Sequence, residues 1–256
     1  MCLVLVAWRV AAAYPLVVAA NRDEFFSRPT TPAAFWPENG ILAGRDGQAG
    51  GTWMGVTRSG RFAALTNYRD PSRHRPEGRS RGELVTAALS AAPPPEDFLA
   101  SLAERAAEYN DFNLLVGDGS SLACLSSVTG TVEVLGPGVH GLSNHLLNTP
   151  WPKVATARPA LTAALAGLPD LRPLFHLLRD DGIHPDAILP RTGVGLEWER
   201  LLSSAFVRAG DYGTRSSTVL LRGEDDSLIF DEQTWLADAR PGGRARYRFM
   251  LKGSAA

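Results

Sequence analysis

An antiparallel α+β sandwich is the fold class that this sequence predicts, and three observations carry the prediction. Strand-like segments come in hairpin-linked groups, two groups of helical pattern separate them, and strand and helix never alternate regularly as a doubly wound parallel sheet would require. The chain of 256 residues, 45% hydrophobic and 21% charged, is long enough to form a full core without metal or disulfide staples. It contains no internal repeat and no linker long enough to divide it, so residues 1–256 are read as one domain.

Residues 3–10 (LVLVAWRV) and 16–20 (LVVAA) are rich in β-branched and large apolar residues and predict a buried hairpin across a short Ala-Tyr-Pro connection. The same stretch is apolar enough to resemble a signal peptide. No basic segment precedes it, however, Arg9 interrupts it and Tyr14-Pro15 divides it, so it reads as strands of a cytoplasmic protein without a transmembrane segment. A glycine-bearing loop, RDGQAGG, then leads into a hairpin of TWMGVT and RFAALTN around Arg58-Ser59-Gly60. Residues 68–79 form a polar loop. Ser80-Arg81-Gly82-Glu83 has the spacing of a capping box and opens a helix that stops at Pro93, and a second helix is expected from about Glu96 to Tyr109. Three short strands follow (FNLLVG, SLACLSS, TVEVLG), then a helix start at Thr149-Pro150 and helical pattern through much of 150–209. The close is extended again: STVLLR, SLIFDE and RARYRFMLK.

Lys plus Arg total 26 against 27 for Asp plus Glu, a net charge of −1 that gives no global drive toward nucleic acid or anionic lipid. Two cysteines, Cys2 and Cys124, exclude a disulfide framework and a multi-thiolate zinc site, and the histidines form no cluster at metal-ligand spacing. Cys2 becomes N-terminal once the initiator methionine is removed. It then carries a thiol beside a free α-amine whose reference pKa of about 7.7–8.0 suits a general base. The plain alternative is a small apolar residue at the start of a buried strand.

Asn21-Arg22-Asp23-Glu24 follows the second strand, back at the level of residue 2. Asp23 is placed to orient the α-ammonium, and Arg22 to lower the thiol pKa or hold an acidic substrate group. In an extended segment Asn21 and Asp23 share one face and Arg22 and Glu24 the other, so the four cannot all face one site; a turn with a surface salt bridge is the competing reading. Asn67, Asn144 and Arg215 also stand at strand ends or in short loops. Asparagine amides suit a developing oxyanion, but they also cap strand ends, and a buried fork on Asp23 or Glu24 is the alternative reading of Arg215.

Met1-Cys2, AANRDEFFSRP, GGTWMGV, AALTNYRDP, RGELV, YNDFNLLVGD, GLSNHLLNTPWPK and DYGTRSSTVLL together resemble the NRDE family, also called the transport and Golgi organisation protein 2 family. The resemblance implies a four-layer α/β/β/α sandwich of two antiparallel sheets, similar to the N-terminal-nucleophile hydrolases. It implies Cys2 as nucleophile, Asp23 as its orienting carboxylate, Asn67 and Asn144 as amide donors and Arg215 as the late arginine; Arg22, Asn21 and Tyr68 are the expected substrate contacts. The thiol acylases of that superfamily have an arginine where this chain has Ala20, and here arginine stands at Arg22 instead. Two functions follow as expectations. One is a Cys2-dependent hydrolase of nonpeptide amide bonds that requires no cofactor or metal. The other is a non-catalytic protein that binds and moves haem or acyl-coenzyme A in the same pocket, with His140 and His145 as the histidines able to reach a haem iron.

Overall fold

The computed structural model describes residues 2–252, Cys2 by its backbone alone. In chain order the strands are β1 (Cys2–Trp8), β2 (Leu16–Phe25), β3 (Thr30–Phe35), β4 (Leu42–Asp46), β5 (Met54–Val56), β6 (Phe62–Asn67), β7 (Phe112–Gly117), β8 (Leu122–Ser126), β9 (Thr131–Val134), β10 (Gly138–Leu142), β11 (Arg208–Ala209), β12 (Tyr212–Arg222), β13 (Ser227–Trp235) and β14 (Pro241–Met250). The α-helices are α1 (Gly82–Ser90), α2 (Pro95–Ala103), α3 (Pro152–Ala164), α4 (Arg172–Leu178) and α5 (Leu196–Leu201). Two seven-stranded antiparallel sheets result. One runs β10-β1-β2-β12-β13-β14 with β11 beside β12, and the other runs β3 to β9 in chain order.

Strand parity explains the layers. Val4, Val6, Trp8, Leu16 and Val18 point between the sheets and meet Leu42, Val56, Phe62, Ala64 and Leu115 of the second sheet. Their neighbours Leu3, Leu5, Ala7, Val17 and Ala19 point outward and are covered by Val154, Leu161, Leu174 and Leu178 of α3 and α4. On the second sheet's outer face Ala63, Leu65, Leu114 and Val116 are covered by Leu84, Val85, Ala88 and Leu99 of α1 and α2. The order is therefore α/β/β/α, and β1 reads as an unbroken apolar run because both of its faces are buried.

The structure corrects the sequence reading in five places. Asn21 to Glu24 lie inside β2, paired with β12 across a one-residue bulge, and form no turn. The capping box is not made: Arg81 stands at the N-cap of α1 and its side chain donates to the Asp111 carbonyl instead of capping the helix, while Glu83 accepts from the Tyr109 hydroxyl and pairs with Arg79. The second helix ends at Ala103, and a 3-10 turn over Ala106–Glu108 follows. Helix α3 begins at Pro152, because the Thr149 hydroxyl is spent on the His145 ring. Strands β3, β4 and β10 appear where no strand was expected. Among the described residues, no helix is long and apolar enough to cross a membrane.

Candidate functional site

Antiparallel pairing brings the starts of β1 and β7 and the ends of β2, β6 and β10 to one end of the sandwich. Two adjoining clefts open there, of about 420 and 320 Å³, and Asn67, Arg81 and Asn110 line both. The register sets residue 2 opposite Arg22 on β2, and Arg22 lines the smaller cleft. Met1 and the Cys2 thiol, on which the nucleophile expectation rests, lie outside the described residues.

Arg22, Asp23 and Glu24 all line that cleft, whereas Asn21 does not. The register between β2 and β12 slips between Thr214 and Ser216, leaving Arg215 as the extra residue opposite the Arg22-Asp23 step. Such a bulge bends the strand and re-aims neighbouring side chains, which removes the strict alternation expected of an ideal extended segment. Asp23 is buried and accepts from Thr214 Oγ1 at 2.7 Å. Arg22 lies over the Trp53 ring at 4.3 Å, donates to Thr30 Oγ1 at 3.1 Å, and faces Asp46 and Glu24 at 3.6 and 3.8 Å. Asn21, expected as a substrate contact, spends its whole amide on the scaffold: Nδ2 donates to the carbonyls of Leu178 and Ala205, and Oδ1 accepts from Ser217. Its side chain faces the helical layer.

Asn67 ends β6 half-buried, and its side-chain amide makes no hydrogen bond to another described residue. Asn144, fully buried, donates from Nδ2 to the Asn67 carbonyl at 2.9 Å, and its own carbonyl accepts from the Arg69 N–H at 2.8 Å. Asn144 thus fixes the backbone on which Asn67 and Tyr68 stand. Tyr68 lines the larger cleft, stacked on His145 at 5.0 Å, and burial, reinforced by Asp70 and Asp111, raises its hydroxyl pKa. Arg215 is outside both clefts: its Nη1 donates to the carbonyls of Phe25 and Arg28, so it clamps the turn after β2 instead of binding Asp23 or Glu24. Burial, with Arg22 nearby, lowers its pKa.

Several residues of the clefts had no role in the sequence reading. Arg69 is buried in a 2.7 Å ion pair with Glu199 of α5 and lies over Trp151; burial lowers its pKa and Glu199 opposes that. Asn110 holds the loop backbone of Arg75 with both ends of its amide, and Asp111 pairs with Arg73. Their signal was present in YRDP and YND, although only as runs of polar residues. Glu199 gave none, because its partner lies 130 residues away.

Among the described residues there is no group of three or more His, Cys, Asp or Glu placed to hold a metal ion. His140 commits both ring nitrogens, to the Gly136 carbonyl and to Asn148, whereas His145 bonds Thr149 through Nδ1 and makes no bond from Nε2 to a described residue. Burial lowers the His145 pKa and favours the neutral ring. Cys124 lies in β8 with its thiol pKa pushed up to about 12 by burial, the opposite of an activated nucleophile.

The profile of the family described as Transport and Golgi organisation 2 matches residues 1–237. The Transport and Golgi organization protein 2 homolog of Bos taurus is 38% identical over 245 residues, covering 88% of this chain and 88% of that protein. The Homo sapiens homolog is 37% identical over 260 residues, covering 94% of each. Among solved structures, a mutant conjugated bile acid hydrolase from Clostridium perfringens aligns over 100% of this chain and 99% of its own at 13% identity, with a TM-score of 0.45. A likeness of that size carries no argument about chemistry.

Proposed function

The chain belongs to the Transport and Golgi organisation 2 family, and we propose that it hydrolyses a nonpeptide amide bond of a small anionic molecule through a thioester on Cys2. One observation carries the reading: residue 2 pairs with Arg22 at the sheet end where Arg22, Asp23 and Asn67 line one cleft. Removal of Met1 exposes the α-amine, which takes the thiol proton as the sulfur attacks the amide carbonyl. Asp23, anchored by Thr214, orients the resulting ammonium. The unspent Asn67 amide donates to the oxyanion, and Asn144 acts through it by fixing its backbone. The ammonium returns its proton to the departing amine. Water then attacks the thioester with the amine again as base, and the acid leaves. Arg22 makes one hydrogen bond among the described residues and meets Asp46 and Glu24 only at 3.6 and 3.8 Å, so its remaining N–H groups suit a substrate carboxylate. Tyr68 forms a wall of the adjoining cleft, and Arg215 supports the turn.

The test is the intact mass of the purified protein before and after a brief, limiting treatment with a thiol alkylator at neutral pH, followed by a screen of N-acyl amides. Loss of Met1, one fast label that disappears in Cys2→Ala, and turnover abolished by the same variant are expected. Cys124 does not compete for the label, being buried with a raised pKa. Retention of Met1, or turnover unchanged in Cys2→Ala, overturns the reading, and non-catalytic binding of haem or acyl-coenzyme A in the same pocket takes its place.

A further inference from the structure

At the far end of the sandwich a cavity of about 710 Å³ is lined by Arg61, Arg222, Lys252, Gly119, Ser120 and Asp118, among others. Strand β6 separates it from the clefts described above. Its six residues span about 20 Å, so the two ends do not share a ligand. We propose that this cavity binds a phosphate dianion, free or as the monoester of a small organic molecule.

Arg61 carries the argument. It closes the β5–β6 hairpin, where Gly60 at φ +86° takes the left-handed position and the Arg61 N–H and carbonyl bond back to Thr57. The residue is only 7% exposed. Nε donates to the Ala88 carbonyl at 2.6 Å, but Nη1 and Nη2 make no hydrogen bond to a described residue, and Nη2 is fully buried. A buried guanidinium with unspent donors is costly unless an acceptor arrives. The nearby carboxylates offer Arg61 opposite charge but no hydrogen bond: Asp118 Oδ1 accepts from Ser120 N, Ser120 Oγ and Ser121 N, and Glu96 Oε2 accepts from Ser121 Oγ. Arg222 adds a second fork. It donates from Nη1 to the Asp118 carbonyl at 2.6 Å, faces Asp226 at 3.6 Å and lies flat against Gly119, where a Cβ would come within 2.4 Å of Nη1. Lys252 stands exposed at the rim and makes no ion pair with a described residue. Two forks and an ammonium outnumber the two carboxylates of the lining, Asp118 and Asp226, and their many donors match an oxygen-rich dianion better than a single carboxylate.

Calorimetric titration of the full chain at constant ionic strength tests this, with inorganic phosphate and phenyl phosphate as probes and acetate as the monoanion comparator. Saturable one-to-one binding of a phosphate probe is expected, stronger than acetate and weakened about tenfold or more in Arg61→Gln. Gly119→Ala is the second variant. Its methyl displaces only the end of a flexible side chain, so phosphate binding falls while the unfolding midpoint stays near wild type. Tighter binding of phenyl phosphate identifies an organic monoester, and tighter binding of inorganic phosphate identifies the free ion; both support the site. The proposal is overturned if neither probe saturates, if Arg61→Gln binds as well as wild type, or if binding is lost only in Arg22→Gln at the opposite end.

Discussion

Asn67 and Asn144 looked equivalent as sequence, and one hydrogen bond separates their roles. Because Asn144 Nδ2 holds the Asn67 carbonyl and is fully buried, Asn144→Ala strands an acceptor in the interior and is expected to cost about 1–3 kcal/mol of stability. Asn67→Ala removes an amide with no described partner, so under the proposed hydrolysis a loss of about 10²- to 10³-fold in kcat is expected, with little change in urea midpoint. Urea titration and kinetics of the two variants check this; equal losses of stability would refute the division of labour. Arg69 depends on a partner distant in the chain. Its ion pair with Glu199 is buried, and Glu199 also accepts from Thr192 N and Oγ1. Glu199→Gln leaves those acceptor contacts available but strips the counter-charge from a buried guanidinium, which predicts a loss of roughly 3–5 kcal/mol in a denaturation curve. A loss no larger than that of an exposed pair would mean that the cleft floor does not depend on it.

What was legible at the level of elements follows the same physics. Strands with strong apolar content on both faces, β1, β2, β6, β7 and β8, were visible because burial demands that composition. Strand β3 carries Pro32, β4 carries Gly44 and β10 is GVHGL; they are held by pairing with neighbours that no local pattern reveals. The bulge at Arg215 was equally silent, and with it the turning of Asp23 into the cleft and of Asn21 away from it. A further element-level feature is Glu232, on β13, which accepts from the Ala33 N–H of β3 at 2.7 Å and from Thr218, joining one sheet to the edge of the other. Burial raises its carboxyl pKa, with the hydrogen bonds and Arg22 opposing. A carboxyl pKa raised on folding gives stability that is full below the unfolded value of 4.5 and is lost as pH rises through the folded value. Glu232→Gln keeps an oxygen for Ala33 and removes the ionisation, so its stability relative to wild type is expected to increase from acid toward neutral pH. Thermal midpoints of both proteins across that range check the sign, and a difference independent of pH would contradict it.

At the scale of the molecule, the two sheets share one interior, with the helical layers packed on their outer faces. The inter-sheet core takes Val18, Leu220 and Phe230 from one sheet and Val56, Phe62 and Leu115 from the other, so neither sheet can expose its inner face without stripping its partner's. That dependence argues for one cooperative unit across a chain whose length alone would allow two. Phe62→Ala tests it, because the residue is fully buried on the second sheet yet packs in the shared core. A cost of about 3–5 kcal/mol is expected for emptying such a site. If the core is one unit, amides of β1, β2 and β12 lose hydrogen-exchange protection by the same free energy as those of β6 and β7. Should the variant loosen only β5 to β8 and leave β2 and β12 at wild-type protection, the sheets fold as separable units, and the clefts between them would be free to open without unfolding.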